Sequence, residues 1–264
     1  TQGYSSAASD VYKRQVLASL FAPVLAKLFG WNSVLGLACI PLTIVFIAYL
    51  IMAKDAPNAP APKKLVDYFR PLKTADAWWL MGFYAVTFGG FVGLAASLPI
   101  YFTDQFGLTP IVAGYCTAGC VFAGSLIRPM GGALADKIGG VKALMIVYVA
   151  AALALAGVAY APTLLSALGL FVAAMLALGI GNGSVFQLVP QRFQEEIGVM
   201  TGLVGMAGGV GGFYLASSLG IAKQFTGSFA PGFLIFAGLA VVAFLGISLV
   251  RARWRATWSS GARI

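Results

Sequence analysis

Phe122 to Gly140 reads FAGSLIRPMGGALADKIGG. It opens as an apolar helix and ends as a polar, glycine-punctuated loop. Arg128 stands in the apolar part, and Asp136 and Lys137 mark where the polar part begins. From Arg128 to Asp136 a helix rises about 12 Å, at about 1.5 Å per residue. With Asp136 at a bilayer surface, Arg128 lies near the middle of a hydrocarbon core about 30 Å thick. A guanidinium there is costly and cannot escape the cost by losing its proton. None of the eight carboxylates falls inside an apolar run. The charge therefore points to an anionic ligand.

Composition agrees with a membrane setting. Of 264 residues, 60% are hydrophobic and 9% charged, against about 25% charged in a soluble domain. There is no histidine, which removes the commonest metal ligand and proton relay. Cys39, Cys116 and Cys120 lie in apolar runs without metal-ligand spacing and read as small packing residues. No metal or cofactor is expected, and no nucleophile–base pair suggests an enzyme. No cleavable signal peptide is visible at the N-terminus.

Outward from the arginine helix, Ile111 to Leu134, the chain divides into apolar runs. Thr1 to Gln15, TQGYSSAASDVYKRQ, is polar and unpatterned beside those runs and reads as a translated adapter scar. Val16 to Phe29 is too short to span and is expected to be the end of an interrupted helix. Val34 to Ala53 is a full span, so residues 16–53 read as the end of one helix and the whole of the next. Residues 54–76 carry Pro57, Pro60, Pro62 and Pro71 among lysines and arginines and read as an exposed linker. Residues 77–250 hold six spans: Ala77 to Phe102, Ile111 to Leu134, Val141 to Tyr160, Leu164 to Val189, Gly198 to Ala222, and Phe229 to Val250. Residues 251–264 form a basic tail. Lipid admits helices or closed barrels, and these runs are too long for barrel strands. The fold class is an all-α membrane protein.

Basic residues set the orientation. The linker side collects Lys54, Lys63, Lys64, Arg70, Lys73, Lys137, Lys142, Arg192, Arg251, Arg253, Arg255 and Arg263, while the opposite side has Lys27 and Lys223. Linker and tail are therefore expected to be cytoplasmic. The net charge of +9 is explained by topology rather than by nucleic-acid binding.

Two further stretches carry chemistry. Gly132-Ala-Leu-Ala-Asp136-Lys137-Ile-Gly139 is either a solvated turn or a charged gate, in which Asp136 pairs with a neighbouring helix end and with a basic side chain. Gly179-Ile-Gly181-Asn182-Gly183-Ser184-Val-Phe186-Gln187 places a polar trio among glycines. Asn182, Ser184 and Gln187 are either interhelical hydrogen-bonding groups on a glycine seam or ligand contacts. Tyr84 and Phe88, four apart, share a helix face and are either a packing stripe or part of a pocket.

The loop motif resembles the one between helices two and three, and again eight and nine, of the major facilitator superfamily. Together, IRPMGGALADKIGG, GNGSVFQ and GVMTGLVGMAGGVGGF are similar to the nitrate/nitrite porter family of that superfamily. The last stretch is like that family's second nitrate signature and holds overlapping pairs Gly198/Gly202, Gly205/Gly209 and Gly208/Gly212. The resemblance covers about residues 16–254 and implies the second six-helix half of a twelve-helix transporter, preceded by the end of helix five and helix six. The first half, with the family's first arginine and first signature, is not in this sequence. The resemblance further implies that Arg128 is the second-half arginine of an anion clamp. Phe186, Tyr84 and Phe88 then match pocket aromatics, and Asp136, Lys137, Gly132 and Gly139 match the gating loop. Gly179, Gly181, Gly183, Gly205, Gly208, Gly209 and Gly212 are expected to pack helices.

Nitrate is flat and weakly hydrated. A guanidinium offers it parallel N–H donors, rings can sandwich it, and Tyr84 can add a hydrogen bond. The implied partners are nitrate or nitrite, the lipid bilayer of a bacterial inner membrane, and the first half of the same transporter. Nitrate/nitrite exchange needs no proton carrier, and this stretch offers no carboxylate or histidine within the membrane. Two other readings stay open: a superfamily transporter of another small anion or organic acid, and a non-transporting membrane scaffold.

Overall fold

The computed structural model describes residues 17–18, 20–53 and 69–258. Residues 1–15, read above as a scar, most of the linker and the end of the tail lie outside the described residues. Among the described residues the elements are helical throughout. They are α1 (Leu20–Phe29), α2 (Trp31–Met52), a 3-10 turn (Arg70–Lys73), α3 (Ala75–Phe106), α4 (Pro110–Leu126), α5 (Arg128–Ile138), α6 (Gly140–Val158), α7 (Leu164–Arg192), α8 (Ile197–Thr226) and α9 (Ala230–Thr257). Counting α4 and α5 as one span, seven helices are long and apolar enough to cross a membrane. None of the residues of α2 is buried, whereas α3, α4 and α6 to α9 share one apolar core.

The boundaries follow local chemistry. Gly107, at φ 64°, ends α3, and Gly227, at φ 72°, ends α8, in the left-handed region that a side chain disfavours. Thr109 caps α4 with Pro110 behind it. Thr163 and Ser166 form a reciprocal cap on α7.

Three boundaries differ from the sequence reading. The arginine span is not continuous. It breaks at Ile127, between α4 and α5, because Pro129 has no N–H for the preceding turn and its ring crowds that turn's carbonyl. The segment after Leu134 is helix rather than loop as far as Ile138, since Ala and Lys are good helix formers. The turn narrows to Gly139, at φ 93° and ψ 138°. Finally, the linker ends by residue 74, and the start of the tail extends α9 to Thr257. Trp254 anchors that extension: it is fully buried, edge-on to Phe83 at 6.1 Å and stacked on Trp258 at 4.6 Å.

Helix α3 lies along α8, and α7 packs against α3, α4, α5 and α6. These two arrangements build the site. Along α3–α8 the backbones nearly touch. A Cβ on Gly211 would sit 2.3 Å from the Ala85 carbonyl oxygen, and one on Gly89 would sit 2.6 Å from the Gly211 backbone. Close approach of this kind is what small residues give to helices in lipid.

Candidate anion-binding site

Arg128 opens α5 at the break and is 7% exposed. The glycines of α7 hold this backbone close. A Cβ on Gly183 would lie 2.6 Å from the Arg128 carbonyl oxygen, and one on Gly179 would lie 2.2 Å from that of Gly124. In return, Gly131 accepts the α7 backbone at Ile180. The GNG stretch thus sets the position of the arginine's main chain.

The side chain of Arg128 lies against aromatic rings of α3. Its Cζ is 4.3 Å from the Phe91 ring centroid and 5.7 Å from that of Phe88, within cation–π range. Phe88 is stacked on Tyr84, centroids 5.0 Å apart and planes 11° apart. Phe186 of α7 meets Tyr84 edge-on at 4.9 Å. Gly208 of α8 backs this pair, for a Cβ there would lie 2.7 Å from the rings of Tyr84 and Phe88. One guanidinium and four rings therefore form one cluster from α3, α5 and α7. Flat cationic and aromatic surfaces arranged this way can accept a planar anion along the guanidinium edge and a ring face.

Most of the expected site residues meet here, and some do not. Tyr84, Phe88, Arg128 and Phe186 come together. Asn182 lies one turn from Phe186 on the same face of α7, is 3% exposed, and has no hydrogen-bond partner for its amide among the described residues. Ser184 is turned elsewhere: its hydroxyl donates to the Ile180 carbonyl at 3.0 Å and reaches that of Gly131 at 3.5 Å. Gln187 points to the start of α6, where its Oε1 would be 2.6 Å from a Cβ on Gly140. The spacing of the trio winds its members around the helix rather than down one side.

Gly208 and Gly212 pack on α3, and Gly181 packs on Thr87 and Val147. Among the described residues Gly205 and Gly209 meet nothing within 4 Å, because they lie around the helix from that contact. Gly132 also faces open space, and Asp136 and Lys137 are exposed in the last turn of α5.

Two features escaped the sequence reading. Phe91 follows Tyr84 by seven residues and Phe88 by three, so the heptad spacing signals it. Asp76, read as linker, is a 6%-exposed hub in the first turn of α3. It accepts hydrogen bonds from Arg192 Nε at 2.7 Å, from Trp254 Nε1 at 2.9 Å and from Arg253 Nη2. It thereby ties the start of α3 to the ends of α7 and α9.

The apolar helices, with a buried arginine–aromatic cluster among them, define a polytopic membrane protein. The Major Facilitator Superfamily model matches residues 15–216, and the chain belongs to that superfamily of transporters. Over 230 residues it is 34% identical to the nitrite extrusion protein of Bacillus subtilis, covering 85% of this chain and 57% of that protein. Over 235 residues it is 32% identical to the probable nitrate transporter NarT of Staphylococcus epidermidis, covering 87% and 59%. The probable nitrate/nitrite antiporter NarK1 of Thermus thermophilus is 29% identical over 241 residues, covering 83% and 54%. Within the superfamily, the chain is similar to these proteins named for nitrate and nitrite transport. It spans well under two thirds of the length of each of these relatives.

Proposed function

We propose that this chain supplies the second half of a secondary transporter that moves nitrate and nitrite across a bacterial inner membrane by alternating access. Arg128 holds the anion's oxygens in the plane of its guanidinium. Phe88, Phe91 and Phe186 supply flat walls, and Tyr84 adds a hydroxyl donor. The carrying observation is the meeting of Arg128 with these rings, from three separate helices, inside a membrane bundle.

The relatives extend well beyond the matched length, which is consistent with a site completed by a first half. The excess of basic residues on one side supports cytoplasmic placement of the linker and C-terminus. In this reading Asp136, Lys137 and the Gly139 turn form the charged edge that changes partners as the halves rock. The test is uptake of nitrate by proteoliposomes holding the full-length transporter, with and without nitrite inside. Saturable uptake, accelerated by internal nitrite, is expected. Its absence, or equal uptake of small organic acids, would overturn the assignment.

A further inference from the structure

Thr87 is fully buried on α3, and its hydroxyl has no hydrogen-bond partner among the described residues. That is unusual in this molecule. The hydroxyls of Thr103, Thr117, Ser125, Ser184, Thr226 and Ser248 all fold back onto the carbonyl four residues earlier. The corresponding acceptor for Thr87 is the Phe83 carbonyl, and it is occupied. It takes the ordinary helical N–H of Thr87, and it also accepts the hydroxyl of Tyr148 from α6 at 3.1 Å. A carbonyl oxygen has two lone pairs, so both are used. On its other side Thr87 is fixed by packing: its methyl carbon would be 2.7 Å from a Cβ on Gly181. At about 100° per residue, Tyr84, Thr87, Phe88 and Phe91 fall within roughly one 100° arc of α3. The unpartnered hydroxyl therefore belongs to the helix face that carries the rings around Arg128.

We infer that Thr87 donates a hydrogen bond to an oxygen of the transported anion, and that Tyr148 holds this donor open by occupying the Phe83 carbonyl. The inference rests on the nitrate/nitrite reading above. Thr87 touches the substrate, and Tyr148 is a positioning residue that acts through it. Together they give the pocket an uncharged donor beside the guanidinium.

The test is equilibrium binding of nitrate to the purified full-length transporter, alongside thermal unfolding without ligand. Thr87→Val keeps the shape and removes the donor. It is expected to weaken nitrate binding about tenfold, the scale of one lost hydrogen bond to a charged group. The unfolding midpoint should barely change, because replacing an unpaired hydroxyl with a methyl leaves no group unsatisfied. Thr87→Ser is expected to restore most of the affinity. Tyr148→Phe frees the Phe83 carbonyl, lets Thr87 fold back, and should weaken nitrate binding several-fold. Adding it to Thr87→Val should cost nothing further. Equal nitrate affinity in the parent and in Thr87→Val would overturn the assignment of Thr87 alone. Additive losses in the double variant would overturn the role of Tyr148. A parent that binds no nitrate would overturn the substrate reading and this inference with it.

Discussion

Asp76 and Arg128 are both charged and buried, and they serve different ends. Asp76 is surrounded by protein donors from α7 and α9, so its task is to hold the bundle. Its arginine partners are more than a third exposed, and solvent screens part of each ion pair. Asp76→Asn keeps the shape and one acceptor but removes the charge. It should lower stability by about 1–2 kcal/mol, seen as a lower unfolding midpoint of the purified protein in detergent. An unchanged midpoint would show that the hub is ornamental to stability. Arg128 faces rings, and its geometry matters more than its charge. Arg128→Lys in the full-length transporter should weaken nitrate binding at least about tenfold, since an ammonium lacks the two-pronged plane. Near-normal nitrate uptake by that variant would reduce the clamp to a nonspecific positive site. Arg128 was legible from sequence because an arginine in an apolar run has few innocent explanations. Asp76 was not, because a carboxylate beside a proline-rich basic stretch looks like any solvated linker residue, and its partners lie more than a hundred positions away.

At the scale of the helices, glycine spacing was visible in sequence but glycine direction was not. The run from Gly198 to Gly212 announces close packing, yet which glycines touch α3 depends on the rotation of α8. The structure separates two neighbours on this basis. A Cβ on Gly211 would strike the Ala85 carbonyl oxygen at 2.3 Å, while one on Gly209 would meet nothing within 4 Å. Gly211→Ala should therefore destabilise the protein by about 1–3 kcal/mol through overpacking. Gly209→Ala should be neutral or stabilise it by up to about 1 kcal/mol through helix propensity. Thermal unfolding of the two variants side by side checks the register, and equal effects would mean that α8 is rotated from its described position. The break at Ile127 had a sequence signal in Pro129. The apolar character of the surrounding run hid it, since hydropathy reports membrane depth and says nothing of a missing backbone donor.

For the molecule as a whole, the seven spans, the helical class and the family were all legible, because a membrane leaves the chain few alternatives. The grouping of Arg128 with Tyr84, Phe88 and Phe186 was legible only through resemblance. Aromatic residues at helical spacing are ordinary packing until a structure brings a guanidinium against them. One guanidinium and four rings make one cluster from α3, α5 and α7, and in the proposed transporter the first half supplies the opposite wall. Alternating access requires two bodies that rock about a shared site. Losing the opposite wall removes roughly half the ligand's contacts. A loss of about 4 kcal/mol, close to a thousandfold, would abolish binding at millimolar nitrate. The decisive measurement is nitrate uptake by liposomes carrying residues 16–264 alone, compared with the same polypeptide carrying Arg128→Lys and with the full-length transporter. Saturable uptake is predicted for the full-length protein only. Saturable uptake by residues 16–264 alone that disappears with Arg128→Lys would contradict a site shared between two halves.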